Sequence, residues 1–378
     1  MKKSIFKINE LLKIINNSVI MLPTPLNISM WWNFGFLLSM CMIIQIITGI
    51  FLSMHYCANI FIAFKSIIFI MQEINYGWLI RLIHMNTASF FFIFIYIHIS
   101  RGIYYNSFKL INTWIIGTFI LLIMMMIAFL GYVLPWGQMS FWGATVITNL
   151  LSAIPFIGNL LVKWLWGGFS VHNPTLNRFF SIHFTLPFIM MMMIIIHLFF
   201  LHKTGSNNPL GTNSNLMKIP FYPYFLIKDL LGMIMMIIML MSMCLINPYL
   251  FSDPENFIKA NSMITPIHIQ PEWYFLFAYA ILRSIPNKLG GVCALILSIL
   301  ILLIMPFLMK TNMKNLKFYP INKMYFFLFI NINILLTWVG MKPIENPFIS
   351  LSQILTIFYF LYFFMNSLMM NLWDKMLF

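Results

Sequence analysis

The charged residues of this chain are so widely spaced that the gaps between them constrain its fold more than any motif does. Long stretches without Asp, Glu, Lys or Arg cover residues 14–64, 82–100, 110–162, 179–202, 230–252, 289–309, 324–341 and 346–373. A membrane-spanning helix needs about 17 to 25 mostly apolar residues, so each stretch can cross a bilayer at least once. With 61% hydrophobic and 8% charged residues, the chain cannot build a water-facing surface, which excludes soluble folds.

The two longest stretches each contain a break. Pro23 and Pro25 interrupt the first, and Pro135-Trp136-Gly137 interrupts the third, after which residues 138–155 are amphipathic and are predicted to form a surface helix. The sequence therefore predicts an all-α integral membrane protein with eight spans. We name them A to H, near residues 30–53, 77–104, 113–134, 178–203, 225–246, 288–309, 321–340 and 347–370.

An even number of spans places both termini on one side of the membrane, which we call the terminal face. Most basic residues are predicted to lie on this face, namely Lys2, Lys3, Lys7, Lys13, Arg101, Lys109, Lys203, Lys218, Lys228, Lys310, Lys314, Lys317, Lys323 and Lys375. Because basic residues accumulate on the negatively polarised side, we expect both termini there. Residues 1–29 are predicted to remain as an amphipathic surface segment.

Four histidines repeat one spacing on two spans. His84 and His98 lie 14 residues apart on span B, and so do His183 and His197 on span D. At about 100° per residue, 14 steps return a side chain to within roughly 40° of its direction and about 21 Å along the axis. Spans B and D run parallel, so His84 is expected to face His183, and His98 to face His197. Opposed imidazoles are the axial ligands of a six-coordinate haem, so the pattern predicts two stacked haems.

The main alternative for intramembrane histidines is hydrogen bonding between helices or proton relay. One zinc or copper ion shared by all four is excluded, because ligands about 21 Å apart cannot reach one ion.

Glycines repeat the same interval on the neighbouring spans. Gly35 and Gly49 lie 14 residues apart on span A, as do Gly117 and Gly131 on span C. Gly49 and Gly131 are expected at the depth of His84, and Gly35 and Gly117 at the depth of His98. A glycine lets a macrocycle or another helix approach the backbone, although small-residue helix packing alone also uses glycine.

Two arginines flank the histidines of span B. Arg81 precedes His84 by three residues and Arg101 follows His98 by three. A guanidinium binds carboxylates in a bidentate manner, which suits the propionates of haem. Snorkelling at the ends of a span is the alternative.

Titratable groups also lie near both membrane surfaces. Glu272, in Pro271-Glu272-Trp273-Tyr274, is expected to be poorly solvated and so able to accept a proton from a hydroquinone. On the terminal face, His202, Lys228 and Asp229 could protonate a reduced quinone. Helix-start and helix-end charge preferences are the alternatives at both places.

Nearly the whole chain resembles a known family, and the resemblance is strongest in a few stretches. They include Trp31-Trp32-Asn33-Phe34-Gly35, the run from Gly131 to Ser140, residues 141–155, 205–211 and 270–291 around Pro271-Glu272-Trp273-Tyr274. On these stretches the chain resembles the mitochondrial cytochrome b family, the haem-bearing subunits of ubiquinol–cytochrome c reductase, or bc1 complex. Chloroplast cytochrome b6 resembles it less, because that family has an extra residue between the histidines of span D and ends after four spans.

The resemblance implies roles for individual residues. It implies that His84 and His183 bind a low-potential b haem, His98 and His197 a high-potential one, and that spans A to D form the haem-binding bundle. It assigns propionate contacts to Arg81 and Arg101. It implies that the haem pockets are lined by Gln45, Trp32 and Trp114. It implies a quinol-oxidising site that includes Phe129, Tyr132, Gly143, Glu272 and Tyr279, and a quinone-reducing site that includes His202, Ser206, Lys228 and Asp229.

Two positions depart from the family pattern. Phe36 replaces a usual serine after Asn33-Phe34-Gly35, which affects polar contacts near the quinone-reducing pocket. His172 replaces a common aspartate, followed by Pro174 in place of alanine. We interpret His172 as a surface residue and not as a ligand.

Together these observations predict that residues 30–210 hold spans A to D with two haems, and that residues 211–378 hold spans E to H with a quinol-site loop at 247–287. Quinol would be oxidised near the outer face and ubiquinone reduced near the matrix face of the mitochondrial inner membrane, with both termini on the matrix side. The 33 methionines favour an organellar gene.

The chain lacks cysteine clusters, since Cys41, Cys57, Cys244 and Cys293 are widely separated. This chain therefore cannot supply an iron–sulfur centre itself. The resemblance implies an iron–sulfur protein and cytochrome c1 as partners in a dimeric complex, and no nucleic acid is expected. The alternatives are a proton-coupled transporter that uses the histidines as a relay and a purely structural membrane subunit.

Overall fold

The computed structural model describes residues 9–309 and 311–377 and is almost entirely helical. Within these residues, eight helices are long and apolar enough to cross a membrane. Spans A to H are Met30–Ser53, Gly77–Tyr104, Ile111–Val133, Asn173–Thr204, Tyr224–Ile246, Lys288–Leu308, Pro320–Gly340 and Phe348–Leu377. The prediction of an eight-span all-α membrane protein is confirmed.

Spans D and H are longer than predicted. Span D begins at Asn173, because Pro174 suits the first turn and the exposed His172 forms a capping box with Thr175. Span H continues past Asp374 to Leu377. The Asp374 carboxylate accepts hydrogen bonds from the Tyr319 hydroxyl at 2.7 Å and the Asn312 amide at 2.8 Å, so the charge is satisfied and does not end the helix.

The spans form two packed groups. Span A packs against span B, span C against span D, and span A also touches span D. Span E packs on spans A and B, and span F on span C. The short helix Leu276–Ser284 lies among spans F, G and H. Spans A to D therefore make one bundle with span E against it, and spans F, G and H surround the short helix that follows Glu272.

Short elements cover both faces of the bundle. On the terminal face, the α-helix Glu10–Ile15 and the π-helix Asn16–Ile20 precede strand β1, Pro23–Pro25, which pairs antiparallel with β2, Lys218–Pro220. On the opposite face lie the helices Ala63–Gln72, Gln138–Asn149 and Gly158–Trp166. The 3-10 turns are Met30–Trp32, Ser107–Lys109, Leu150–Ala153, Pro254–Phe257, Trp273–Phe275 and Leu316–Phe318.

The N-terminal surface segment is described only in part. Residues 1–8 of the predicted segment 1–29 lie outside the described residues. In the described part, Ile14, Val19 and Met21 expose their apolar side chains.

The predicted surface helix 138–155 is wrong in its extent and in its polar face. The α-helix ends at Asn149, and its polar residues Gln138, Ser140 and Thr148 are buried. The Gln138 side chain donates to the Ile264 carbonyl and accepts from the Asn261 amide. Ser140 bonds to Tyr132 and Asn256, and Thr148 bonds to Ala144 and Trp166. The polar residues are therefore buried because other parts of the protein supply their hydrogen-bond partners.

Candidate functional site

The structure places His84 of span B opposite His183 of span D. Their ring centroids lie 6.4 Å apart with an interplanar angle of 80°. The Nδ1 atom of His84 is 2.9 Å from the Thr48 hydroxyl, and the Nδ1 atom of His183 is 2.9 Å from the Ile127 carbonyl oxygen. Because the Nδ1 atom of each ring contacts a residue on the neighbouring span, Nε2 is the nitrogen available as a metal ligand.

His98 and His197 form a second pair nearer the terminal face. Their ring centroids are also 6.4 Å apart, with an interplanar angle of 58°. Two imidazoles that bind one metal ion from opposite sides, at the usual His–metal distance of about 2 Å, place their centroids about 6 Å apart. Both pairs therefore have the spacing of axial ligands to a single ion.

Each of the four spaced glycines faces one of these imidazoles. A Cβ atom on Gly49 would lie 3.2 Å from Cε1 of His84, and one on Gly131 would lie 2.4 Å from Cε1 of His183. At the other depth, the corresponding distances are 3.5 Å from Gly35 to His98 and 3.1 Å from Gly117 to His197. The glycines and histidines thus meet at the expected depths, and the glycines make room for the imidazole rings themselves.

A cavity of about 650 Å³ adjoins the His84–His183 pair, within the usual range for cofactor sites. Its lining includes Gln45, Gly49, Gly131 and Arg81. In the described residues, no group of three or more His, Cys, Asp or Glu side chains could hold a metal ion. Two opposed imidazoles in an apolar cavity leave the remaining coordination positions to a macrocycle, so this donor set fits a haem.

Gln45, Trp114 and Trp32, which were predicted to line the haem pockets, each make a different contact. Gln45 donates from Nε2 to the His84 carbonyl at 2.9 Å and so fixes span A against span B. The indole of Trp114 donates to the Leu302 carbonyl at 2.6 Å, which ties span C to span F. Trp32 lies under Arg101, whose guanidinium carbon is 5.2 Å from the indole ring centroid. The Trp32 Nε1 and Arg101 Nε atoms are buried without a partner in the described residues.

Arg81 and Arg101 lie at the two depths of the histidine pairs. Arg81 lines the cavity beside His84, and Arg101 donates weakly to the Ser107 hydroxyl at 3.5 Å. Within residues 9–309 and 311–377, neither guanidinium has an acidic partner within 4.0 Å. Both arginines are half-buried, and a half-buried guanidinium without a carboxylate suits an anionic group of a ligand.

The loop that carries Glu272 is anchored on span B between the two histidine depths. The Trp273 indole donates to the Ser89 hydroxyl at 3.1 Å, and the Tyr96 hydroxyl donates to the Tyr274 carbonyl at 2.5 Å. The Tyr274 ring stacks on Phe92 with centroids 3.9 Å apart. These contacts place Glu272 in the wall of the same cavity as His84.

The environment of Glu272 raises the pKa of its carboxyl group to near neutral pH. Burial raises the pKa of Glu272 to about 7, and nearby Asp253 acts in the same direction, whereas a hydrogen bond with Tyr132 and the charge of Arg81 oppose it. A carboxyl group with this pKa can both accept and release a proton at physiological pH. Tyr132 lines the cavity with it.

Three other residues predicted for this site lie outside the lining of that cavity in the described part of the chain. Phe129 packs on Phe179, with ring centroids 5.9 Å apart. Tyr279 donates to the Ile269 carbonyl at 3.2 Å and lies under Arg283. Gly143 would place a Cβ atom in open space, with nothing within 4 Å.

Two of the four residues predicted for quinone reduction, Lys228 and Asp229, share a hydrogen-bond partner. Asp229 accepts a hydrogen bond at 3.0 Å from the Asn33 side chain, which also donates to the Lys228 carbonyl at 3.1 Å. His202 is exposed, and Ser206 is half-buried. The structure therefore joins Lys228 and Asp229 through Asn33, and in the described residues no hydrogen bond links His202 or Ser206 to Asp229.

Sequence reasoning missed Asn33 as a site residue. A Cβ atom on Gly232 would lie 2.5 Å from the Asn33 side-chain oxygen, so a glycine one turn after Asp229 makes space for this contact. The polar residue between Trp32 and Phe34 at the start of a span was the available signal.

The fold and the two stacked histidine pairs define a helical membrane protein with two bis-imidazole sites. Residues 19–205 match the family described as Cytochrome b/b6/petB, and residues 259–360 match Cytochrome b(C-terminal)/b6/petD. A chain of the structure titled "Hyperthermophilic respiratory Complex III" is similar with a TM-score of 0.92 and 31% sequence identity, over 98% of this chain and 99% of that chain. The chain belongs to the cytochrome b/b6 family.

The glycine contacts predict different tolerance to alanine. Gly131→Ala would force the His183 ring to move, because the new Cβ atom lies 2.4 Å from it, whereas Gly35→Ala would make an ordinary contact at 3.5 Å from His98. We expect Gly131→Ala to lose one of two b-type haems, measured as extracted haem per purified chain. Full haem content in Gly131→Ala, or an equal loss in Gly35→Ala, would contradict this account.

Proposed function

We propose that this chain is the electron-transfer subunit of a quinol–cytochrome c reductase and binds two b haems. His84 and His183 hold one haem, and His98 and His197 hold the other. The observation that carries the proposal is the equal 6.4 Å separation of both imidazole pairs, stacked on the parallel spans B and D. When bound, each haem supplies a one-electron carrier, and the stack provides a path across the membrane.

The chain's own residues prepare both haem positions. The imidazoles find space between the spans because each faces a glycine, namely Gly35, Gly49, Gly117 or Gly131. Arg81 and Arg101 offer guanidinium groups that lack acidic partners in the described residues, which suits the haem propionates. Gln45, Trp32 and Trp114 fix the surrounding spans.

Quinol oxidation is assigned to the face opposite the termini. Glu272 accepts a proton from a quinol hydroxyl, with Tyr132 as its hydrogen-bond partner. Phe129, Gly143 and Tyr279 are assigned to this site on the family resemblance alone, since they lie outside the cavity lining in the described residues. The support for Glu272 and Tyr132 is that both line the same cavity as His84.

Quinone reduction is assigned to the terminal face. Asp229, held by Asn33, and His202 supply protons to ubiquinone there, and Lys228 and Ser206 belong to the same site. Proton release on one face and uptake on the other would contribute to a transmembrane proton gradient.

The remaining assignments concern the assembly. One of quinol's two electrons passes to an iron–sulfur protein and then to cytochrome c1, as the family resemblance implies. This chain cannot hold the iron–sulfur centre itself, since it has no cysteine cluster. The complex is dimeric and lies in the mitochondrial inner membrane, with both termini on the matrix side. The excess of basic residues on the terminal face supports this orientation, and the similar chain comes from a structure titled as a respiratory Complex III.

The pairing of histidines predicts a shared defect. His84→Leu and His183→Leu should each remove the same haem and leave the other, because one imidazole cannot complete six-coordinate binding. Low-temperature reduced-minus-oxidised spectra of the two variants, which resolve the two b-type bands, would test this. Loss of different bands in the two variants would overturn the pairing.

The position of Glu272 predicts a pH-dependent defect. Because its pKa is raised to about 7, the proton-accepting carboxylate is lost as the pH falls through 7, so wild-type quinol oxidation should slow there. Glu272→Gln should be at least about a hundredfold slower above pH 7, the lower end of the usual contribution of a general base. It should lack this pH limb while keeping both haems.

Steady-state quinol oxidation against pH measures this effect. Glu345→Gln is the control, because Glu345 is an exposed acid on the same face. A Glu272→Gln profile equal to that of the wild type would refute the proton-acceptor role, and loss of haem would assign Glu272 a structural role instead.

A further inference from the structure

The Nδ1 atoms of the paired histidines have different surroundings. The Nδ1 atom of His183 faces a backbone carbonyl, that of Ile127, at 2.9 Å. The Nδ1 atom of His98 has no partner within the described residues. The Nδ1 atom of His84 faces the side-chain hydroxyl of Thr48 at 2.9 Å. One ligand of one pair is thus held by a side chain that substitution can remove without disturbing the backbone.

The contacts of Thr48 decide where the protons lie. The Thr48 hydroxyl is 2.6 Å from the Ile44 carbonyl oxygen, and a carbonyl can only accept, so the single hydroxyl proton points there. The hydroxyl oxygen then accepts from His84, whose Nδ1 atom must carry a proton. The Nε2 atom of His84 is then unprotonated and keeps its lone pair, as a metal ligand requires.

Thr48 also breaks the symmetry between the two depths of span A. It immediately precedes Gly49, whose Cα faces His84. Fourteen residues earlier, Phe34 immediately precedes Gly35, which faces His98. Phenylalanine offers no acceptor, so the two imidazoles that span B presents to the two sites differ in this one hydrogen bond.

We propose that Thr48 is a positioning residue that fixes the tautomer of His84 and lowers the reduction potential of the haem held by His84 and His183. The inference rests on the proposed haem-binding function. A hydrogen bond accepted from Nδ1–H makes an imidazole a more basic ligand, and a more basic ligand stabilises the ferric form over the ferrous form. The hydroxyl therefore contributes to a difference in potential between the two haems.

The test is a spectroelectrochemical titration of purified holoprotein, with the two components assigned by His183→Leu, which removes one of them. Thr48→Val deletes the hydroxyl at nearly constant shape and should raise the potential of the His84–His183 haem alone. Thr48→Ser keeps the hydroxyl and should restore the wild-type potential. Thr118→Val is the matched control: Thr118 is buried beside Gly117, but its hydroxyl donates only to the Trp114 carbonyl at 3.1 Å, so both potentials should stay unchanged.

The outcomes separate this inference from the function on which it rests. An unchanged or lowered potential in Thr48→Val, or an equal shift in Thr118→Val, would overturn the role of Thr48 while leaving haem binding intact. If Thr48→Val loses the haem, the Thr48→Ala and Thr48→Ser variants decide the question. Haem loss in Thr48→Ala but not in Thr48→Ser supports the role of the hydroxyl, whereas haem loss in Thr48→Ser overturns it. A wild-type protein without two b-type components would refute haem binding itself.

Discussion

The contact between each histidine and a glycine on the neighbouring span is the interaction on which the rest of the structure depends. In lipid, an imidazole is costly unless its polar atoms are satisfied, and it needs space that ordinary side chains would fill. Gly49 and Gly131 give that space to His84 and His183, and the same device recurs at the second depth. These contacts set the separation of spans A from B and of C from D, so each pair of rings can meet across the bundle.

The bundle in turn positions the proton chemistry. Ser89, Phe92 and Tyr96 of span B lie between the two histidine depths and hold the segment Trp273–Tyr274 by hydrogen bonds and stacking. Glu272 is therefore located relative to His84 by one rigid helix and not by a free loop. Glu272, with a pKa of about 7, lines the same cavity as His84. Under the proposed function, this arrangement lets a quinol lose its proton and its electron in one place.

The parts of this architecture that could be predicted from the sequence obey local rules. Gaps between charges count spans because lipid excludes charge, and a 14-residue interval reports depth because a helix has a fixed rise. The failures involve partners distant in the chain. Gln138 is buried because residues 261 and 264 satisfy it, and Asn33 belongs with Asp229 on another span. No periodicity encodes such pairings, and Thr48 was missed for the same reason.

The most direct test of the account is a dithionite-reduced minus oxidised absorption spectrum of the purified protein, combined with haem extraction. Two opposed imidazoles at each of two depths predict two b-type haems per chain, seen as two overlapping bands with six-coordinate, low-spin character. A chain without a b-type band, or with one haem at full occupancy, would contradict the assignment of the two histidine pairs as haem ligands.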